Sequence, residues 1–128
     1  MSIEELFREY HLDNPAKKAS FVVGMLVDYL LMVQRIERRV ESGKEPFWKS
    51  LHGLRLDEKK VKEIFHRVIA KLREYRRETY LEEIAGRYLA NAGENWGISK
   101  DEISYYFTLG LTLRGTFQDK IGEGEEEE

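Results

Sequence analysis

The chain has 128 residues, the length of one domain with a single core. Its hydrophobic content of 41% and aromatic content of 12% exclude a disordered chain, and the absence of cysteine excludes disulfides, thiol nucleophiles and thiolate metal sites. The net charge of −3 conceals a basic segment from Arg35 to Arg77, with 14 basic and 7 acidic residues. The richest apolar run, Phe21 to Val33, is short and contains Asp28, so we expect a cytoplasmic protein with no membrane-spanning helix or signal peptide.

Helix-start signals predict two helices in the first third of the chain. Ser2 and Glu5 form a capping box, which predicts a short first helix. Asn14-Pro15 combines an N-cap with a first-turn proline, and Ser42-Gly43 is a stop signal. We therefore predict a long second helix between these two signals.

The second helix is apolar on two sides. One stripe consists of Val22, Leu26, Tyr29, Val33, Ile36 and Val40. Val23, Val27 and Leu31 form a second stripe, well round the helix from the first. The helix is therefore either the central helix of a bundle or a protein interface, and the second stripe supplies the candidate interface residues.

Three further helices are predicted after an aromatic connection at residues 46–53. Asp57 caps the clearest one, over residues 57–77, whose apolar positions follow the three-and-four spacing without exception. Thr79 starts a fourth helix, and the capping box at 99–102 starts a last one. No stretch alternates apolar and polar residues for long enough to form a strand.

These elements predict an all-α fold, a compact bundle of about four to six helices in residues 1–118. Residues 119–128 hold six acidic residues and one lysine, and we predict a disordered tail there. Gly110 and Gly115 lie within or at the end of the last helix, where glycine costs up to about 1 kcal/mol relative to alanine. They allow either close approach of a partner subunit or a tight internal crossing followed by helix termination.

A basic stripe is the strongest functional signal. At 100 degrees per residue, one ridge opposite the apolar face of the 57–77 helix carries Lys59, Lys62, His66, Arg73 and Arg77. Cations spaced one or two turns apart suit a phosphate backbone, which attracts charge without base contacts. The same pattern also fits a face that only keeps the protein soluble, through pairs such as Glu63 with Arg67. Spacing alone leaves both interpretations open.

Signatures of catalysis are missing. The chain has no glycine-rich phosphate loop, no histidine pair at metal spacing and no serine in a glycine elbow. Glu63 and His66 have the Glu-x-x-His spacing of di-iron bundles, but no second copy exists and both lie opposite the apolar face. Asp28 is either a buried acid or a boundary residue, and an RNA-cleaving enzyme is disfavoured because no predicted helix pairs arginine with histidine at a suitable spacing. We predict no enzyme activity, no metal and no cofactor.

Three stretches resemble a family from CRISPR immunity: SFVVGMLVDYLLMVQRIERR, FWKSLHGLRLDEKKV and SKDEISYYFTLGLTLRG. They are similar to the C-terminal helical region of the large subunit of type I-B Cascade, which can also exist as a separate small subunit. The resemblance covers residues 14–117 and rests on Phe-x-x-Gly-x-Leu at 21–26, Gln34 and Tyr-Phe-x-x-Gly at 106–110. A chain of 128 residues beginning at Met1 fits the separate small subunit.

This resemblance implies a non-enzymatic bundle that is present in several copies along Cascade. Its partners are the backbone and large subunits, the guide-RNA complex, further copies of itself and the displaced, non-target single-stranded DNA of the R-loop, with no membrane. No family motif fixes which cations touch DNA. The helical wheel nominates Lys59, Lys62, Arg73 and Arg77, and Arg38 and Arg39 extend the track if the long helix packs alongside. The main alternative is a protein-only scaffold without nucleic-acid contact.

Overall fold

A computed structural model describes residues 2–37 and 56–126, with side chains described for 2–36 and 56–113. Within these ranges the chain has no strand and five helices: α1 (Ile3–Glu9), α2 (Pro15–Glu37), α3 (Glu58–Glu74), α4 (Tyr80–Ala92) and α5 (Lys100–Glu126). The all-α class and the predicted number of helices are confirmed. The predicted stop at residues 42–43, the connection at 46–53, and Arg38 and Arg39 lie outside the described residues.

Local capping starts the helices where the sequence predicts. The Lys60 amide donates to Asp57 Oδ1 over 2.7 Å at the start of α3. At the start of α5 the capping box is reciprocal, because the Glu102 amide donates to Ser99 Oγ over 3.1 Å and the Ser99 amide donates to Glu102 Oε1 over 3.2 Å. Each bond satisfies an amide at the helix start that has no partner within the helix.

Helix α2 lies at the centre of the bundle and packs against α5, α4 and α3. In the first half of α2 both apolar stripes are buried, since Val22 and Leu26 of the first and Val23 and Val27 of the second are each 0% exposed, whereas Ile36 near the helix end is 59% exposed. A helix segment that other helices cover on several sides needs apolar residues on each of those sides, which explains the two stripes. Of the two alternatives that the sequence left open, α2 is the central helix.

The assignment of Val23, Val27 and Leu31 as a protein interface needs correction. Val23 and Val27 are packed inside this chain and have no surface left to offer another subunit. Leu31 is half-buried and packs against the same core. The helical wheel separated the two stripes correctly, but it could not show that other helices of the same chain cover both.

Helix α2 is longer than the apolar run Phe21 to Val33 that marks it in the sequence. Residues Pro15–Ile36 are long and apolar enough to cross a membrane. However, 72% of that window is buried inside the bundle. Apolar residues all round a helix are common to membrane spans and to central core helices. Burial by the helices around α2 accounts for its composition.

Helices α2 and α5 cross at two glycines. The carbonyl oxygen of Phe107 lies against Gly24, and the carbonyl oxygen of Phe21 lies against Gly110. A Cβ atom at either glycine would overlap the facing carbonyl oxygen. The two Phe-x-x-Gly elements of the sequence therefore pack on each other, and Gly110 serves a tight internal crossing.

Helix α5 extends past the predicted domain boundary at residue 118. Its backbone is helical to Glu126, where we predicted a disordered tail from residue 119. Glutamate is a favourable helix former, so an acidic segment that follows a helix directly can continue it despite intervening glycines. The acidic composition did not determine the backbone conformation of this segment.

Candidate nucleic-acid interface

Three of the predicted ridge residues lie on the open face of α3. Lys59, His66 and Arg73 are exposed, whereas Val61, Ile64 and Val68 of the same helix are buried. Lys59 and Arg73 are separated by 14 positions, which is about 21 Å along a helix axis. We call Lys59, His66 and Arg73 the α3 ridge. It presents two permanent cations and one titratable group in a line on the surface.

Lys62 faces the same side of α3 but has a structural partner. Its Nζ donates to the carbonyl oxygen of Gly93 over 2.9 Å, and Trp96 Nε1 donates to the same oxygen over 3.0 Å. Gly93 is the C-cap of α4, so both bonds hold the connection between α4 and α5. Lys62 is half-buried and fastens this connection to α3. Any effect of replacing it would report on folding as well as on binding.

Arg73 has a loose partner on the neighbouring helix. Its guanidinium lies 3.8 Å from the carboxylate of Glu82 on α4, with 71% of the Arg73 side chain and 37% of the Glu82 side chain exposed. An exposed pair at this distance contributes about 0 to 1 kcal/mol. Arg73 can therefore exchange this carboxylate for a phosphate at little cost.

Arg77 does not belong to the ridge, which corrects its placement on a helix over 57–77. Helix α3 ends at Glu74, Tyr75 is its C-cap, and Arg76 has a left-handed φ of 56°. The backbone leaves the helical path before Arg77, so the 100-degree rule no longer applies to it. Arg77 is half-buried beyond the end of the helix.

Carboxylates of α3 partly neutralise two other lysines of the helix, Lys60 and Lys71. Lys60 Nζ lies 3.2 Å from Glu63 Oε2, and Lys71 Nζ lies 3.6 Å from Glu74 Oε2. Both pairs are three residues apart and largely exposed, as expected for pairs that make a surface soluble. The α3 ridge therefore carries the more available positive charge.

The described residues do not build a metal centre. Within 2–36 and 56–113, no group of three or more histidine, aspartate or glutamate side chains could hold a metal ion. Glu63 and His66 are exposed, on the side of α3 away from the core. Asp28 is half-buried on α2. The Glu-x-x-His spacing thus places its two side chains in solvent, where a bundle-type metal site cannot form.

An ion pair at the start of α2 shifts the pKa values of Asp13 and Lys17. Lys17 Nζ donates to Asp13 Oδ1 over 3.0 Å. This hydrogen bond and the charge of Lys17 lower the pKa of Asp13, and the same hydrogen bond raises the pKa of Lys17. Asp13 is therefore ionised at neutral pH and has no proton to donate. Because its pKa is lowered on folding, the stability that this pair adds is present at neutral pH and is lost as the pH falls through that lowered pKa.

A cation–aromatic contact that the sequence did not reveal joins α1, α2 and α4. Lys18 Nζ lies 5.2 Å from the ring centroids of both Phe7 and Tyr88. These residues border an open depression of about 480 Å³, lined by Glu4, Phe7, Arg8, His11, Leu12, Asp13, Lys18 and Tyr88. Its lining mixes both charge signs, so it selects neither anions nor cations. We assign Lys18 a structural role, fastening α1 to the rest of the bundle.

The fold and the site define a class: a small helical module with a cationic ridge and, in its described part, no metal centre. The comparison with protein families then gives the family. Residues 1–125 match the CRISPR-associated protein TM1802 C-terminal domain, and the chain belongs to that family. No curated protein and no solved structure gave a significant match. The CRISPR association that the sequence indicated is confirmed.

Proposed function

We propose that the chain is a non-catalytic small subunit of a type I-B CRISPR Cascade effector in the cytoplasm. It packs along the guide-RNA backbone filament, beside the backbone and large subunits and further copies of itself, and stabilises the displaced non-target DNA strand. Membership of the TM1802 C-terminal domain family supports the CRISPR setting. The resemblance of residues 14–117 to the type I-B large subunit supports the finer assignment.

The observation that carries the DNA contact is the α3 ridge. Lys59, His66 and Arg73 are exposed along one helix face, and the bundle does not need their charges for its core. A phosphodiester backbone is bound by charge alone, so the contact is independent of DNA sequence. Sequence recognition then belongs to base pairing with the guide RNA.

Weak binding by one copy is sufficient in such an assembly. Two or three exposed cations give a single chain little affinity, because each phosphate contact is weak and screened by salt. Copies arranged side by side hold the strand at several points, and the second contact becomes intramolecular. The proposal therefore predicts much tighter DNA retention by the assembly than by the isolated chain.

A protein-only scaffold is the second candidate, and the ion pairs of α3 favour it. Lys60 and Lys71 are paired with glutamates of the same helix, and Arg73 faces Glu82. In that case the charges only keep the surface soluble. The two candidates differ in one respect, since a scaffold joins the complex without touching the displaced strand.

Joining the complex is the first expected result. When the tagged full chain is produced with the neighbouring CRISPR-associated proteins and a guide RNA, we expect it to co-elute with the guide RNA in one assembly. The double variant K59E/R73E should co-elute equally well, because these cations face DNA and not protein neighbours. Gel filtration with RNA quantification measures both.

The matched control is the same preparation with an untagged chain on the same affinity resin. Elution of the tagged chain alone, while the other proteins and the guide RNA assemble without it, would refute the subunit assignment. Loss of K59E/R73E from the assembly would instead place the α3 ridge at a protein contact.

A further inference from the structure

Two helices of this bundle end with the same backbone motif. At the end of α1 the Leu12 amide donates to the Phe7 carbonyl over 2.8 Å, with His11 at φ 57°. At the end of α3 the Arg77 amide donates to the Leu72 carbonyl over 2.9 Å, with Arg76 at φ 56°. Both ends are Schellman motifs, whose left-handed position is normally glycine.

The left-handed backbone conformation is unfavourable for both His11 and Arg76. An L-residue with a Cβ is sterically strained at this φ, so glycine would fit both positions better. The side chains of His11 and Arg76 are both exposed and contribute no core packing. The fold therefore gains little from either side chain, and the strained backbone makes each position a candidate for a function of its side chain.

The surroundings of Arg76 differ from those of His11. From Lys71 to Arg77 the chain carries four cations and one carboxylate, that of Glu74. Three carboxylates lie near Arg76 in the sequence or beside Arg73. Glu74 pairs with Lys71 at 3.6 Å, Glu82 lies beside Arg73, and Glu78 is exposed. The Arg76 side chain makes no hydrogen bond or ion pair within the described part of the chain.

We propose that Arg76 is a phosphate contact of this chain, next to Arg73 at the end of α3. The left-handed backbone takes Arg76 out of the helical path, and the Arg76 amide donates to the Arg73 carbonyl over 3.0 Å, so the two residues lie beside each other. A guanidinium can bind two phosphate oxygens at once, which suits a single-stranded DNA backbone. This inference rests on the proposed function, because it adds a residue to the same strand-binding surface.

The test pairs R76G with H11G in the full chain assembled in its complex. Each glycine relieves the same backbone strain, so we expect each variant of the isolated chain to melt roughly 2 to 6 °C higher. Only R76G removes a cation from the proposed surface. It should weaken binding of a fluorescein-labelled oligothymidylate DNA severalfold, whereas H11G should leave the affinity unchanged. R76K, which keeps the charge, should recover most of the affinity.

Higher thermal stability of R76G with unchanged DNA affinity would overturn the inference. K59E in the same assay separates this outcome from failure of the proposed function. If K59E weakens binding and R76G does not, only Arg76 is excluded. If neither weakens it, or the unmodified assembly does not bind the strand, strand binding by α3 is itself refuted. An oligouridylate RNA of equal length is the second arm, and a loss confined to RNA would also contradict the assignment to DNA.

Discussion

Replacing Gly24 or Gly110 with alanine is expected to destabilise the domain by about 3 kcal/mol or more, the upper part of the range for overpacking a core. An alanine Cβ at Gly24 would overlap the Phe107 carbonyl oxygen and lie 3.2 Å from the Leu111 amide nitrogen. At Gly110 it would overlap the Phe21 carbonyl oxygen and lie 3.1 Å from the Met25 amide nitrogen. The obstructing atoms are backbone, so relief requires separating α2 from α5.

Separation of these helices would be costly because α2 and α5 form the most extensive helix pair of the bundle. The free energy of unfolding of a domain this size is only about 5 to 15 kcal/mol, so either substitution removes a large share of it. Urea unfolding followed by circular dichroism measures the loss. The double variant G24A/G110A should lose less stability than the sum of the losses of the two single variants, because one separation of the helices accommodates both methyl groups.

Gly86 provides the matched control on α4. A Cβ at Gly86 would meet only the Phe65 ring, with Cζ at 3.9 Å, which is ordinary contact. Since alanine is the better helix former by up to about 1 kcal/mol, G86A should be neutral or slightly stabilising. Equal stabilities of G24A, G110A and G86A would show that the crossing is not as close as described.

The second large effect concerns salt-dependent DNA binding. In the assembled complex, K59E/R73E should weaken binding of single-stranded DNA and flatten its dependence on salt. Each lost phosphate contact lowers the slope of log affinity against log salt by about 0.7 for a single strand. Two contacts per copy should therefore lower it by about 1.4 for each copy that engages the strand. Fluorescence anisotropy across a salt series gives affinity and slope together.

The control for this effect changes the same charge elsewhere. Arg8 on α1 and Lys100 on α5 are exposed and lie on different helices from the α3 ridge. R8E/K100E shifts the net charge as much as K59E/R73E does, so it reveals any contribution of total charge. Equal affinities and slopes for both double variants would favour the protein-only scaffold.

Local signals in the sequence predicted much of the fold. The capping boxes, the Asp57 cap and the three-and-four spacing of α3 each depend on residues within one or two turns, so their outcome does not need the rest of the chain. Helix count, fold class and most helix starts follow from such signals. Lys59 and Arg73 were also found this way, because the face opposite an apolar stripe points to solvent.

Features that depend on packing between helices were not predictable. The sequence showed two stripes on α2, yet only the bundle shows that both are covered, which removes Val23 and Val27 from any outer surface. The hydrogen bond from Lys62 to the Gly93 carbonyl joins residues 31 positions apart, so no local pattern contains it. The predicted N-cap at Thr79 implies a turn just before it, so a local signal also takes Arg77 off the α3 helix.

Protection of the displaced strand tests the central claim most directly. Permanganate reactivity of unpaired thymines in the non-target strand is compared between effector complexes assembled with the chain, without it, and with K59E/R73E. The proposed function predicts thymines that are protected when the unmodified chain is present and reactive in the other two complexes. The same reactivity in all three complexes, with equal R-loop formation, would contradict it.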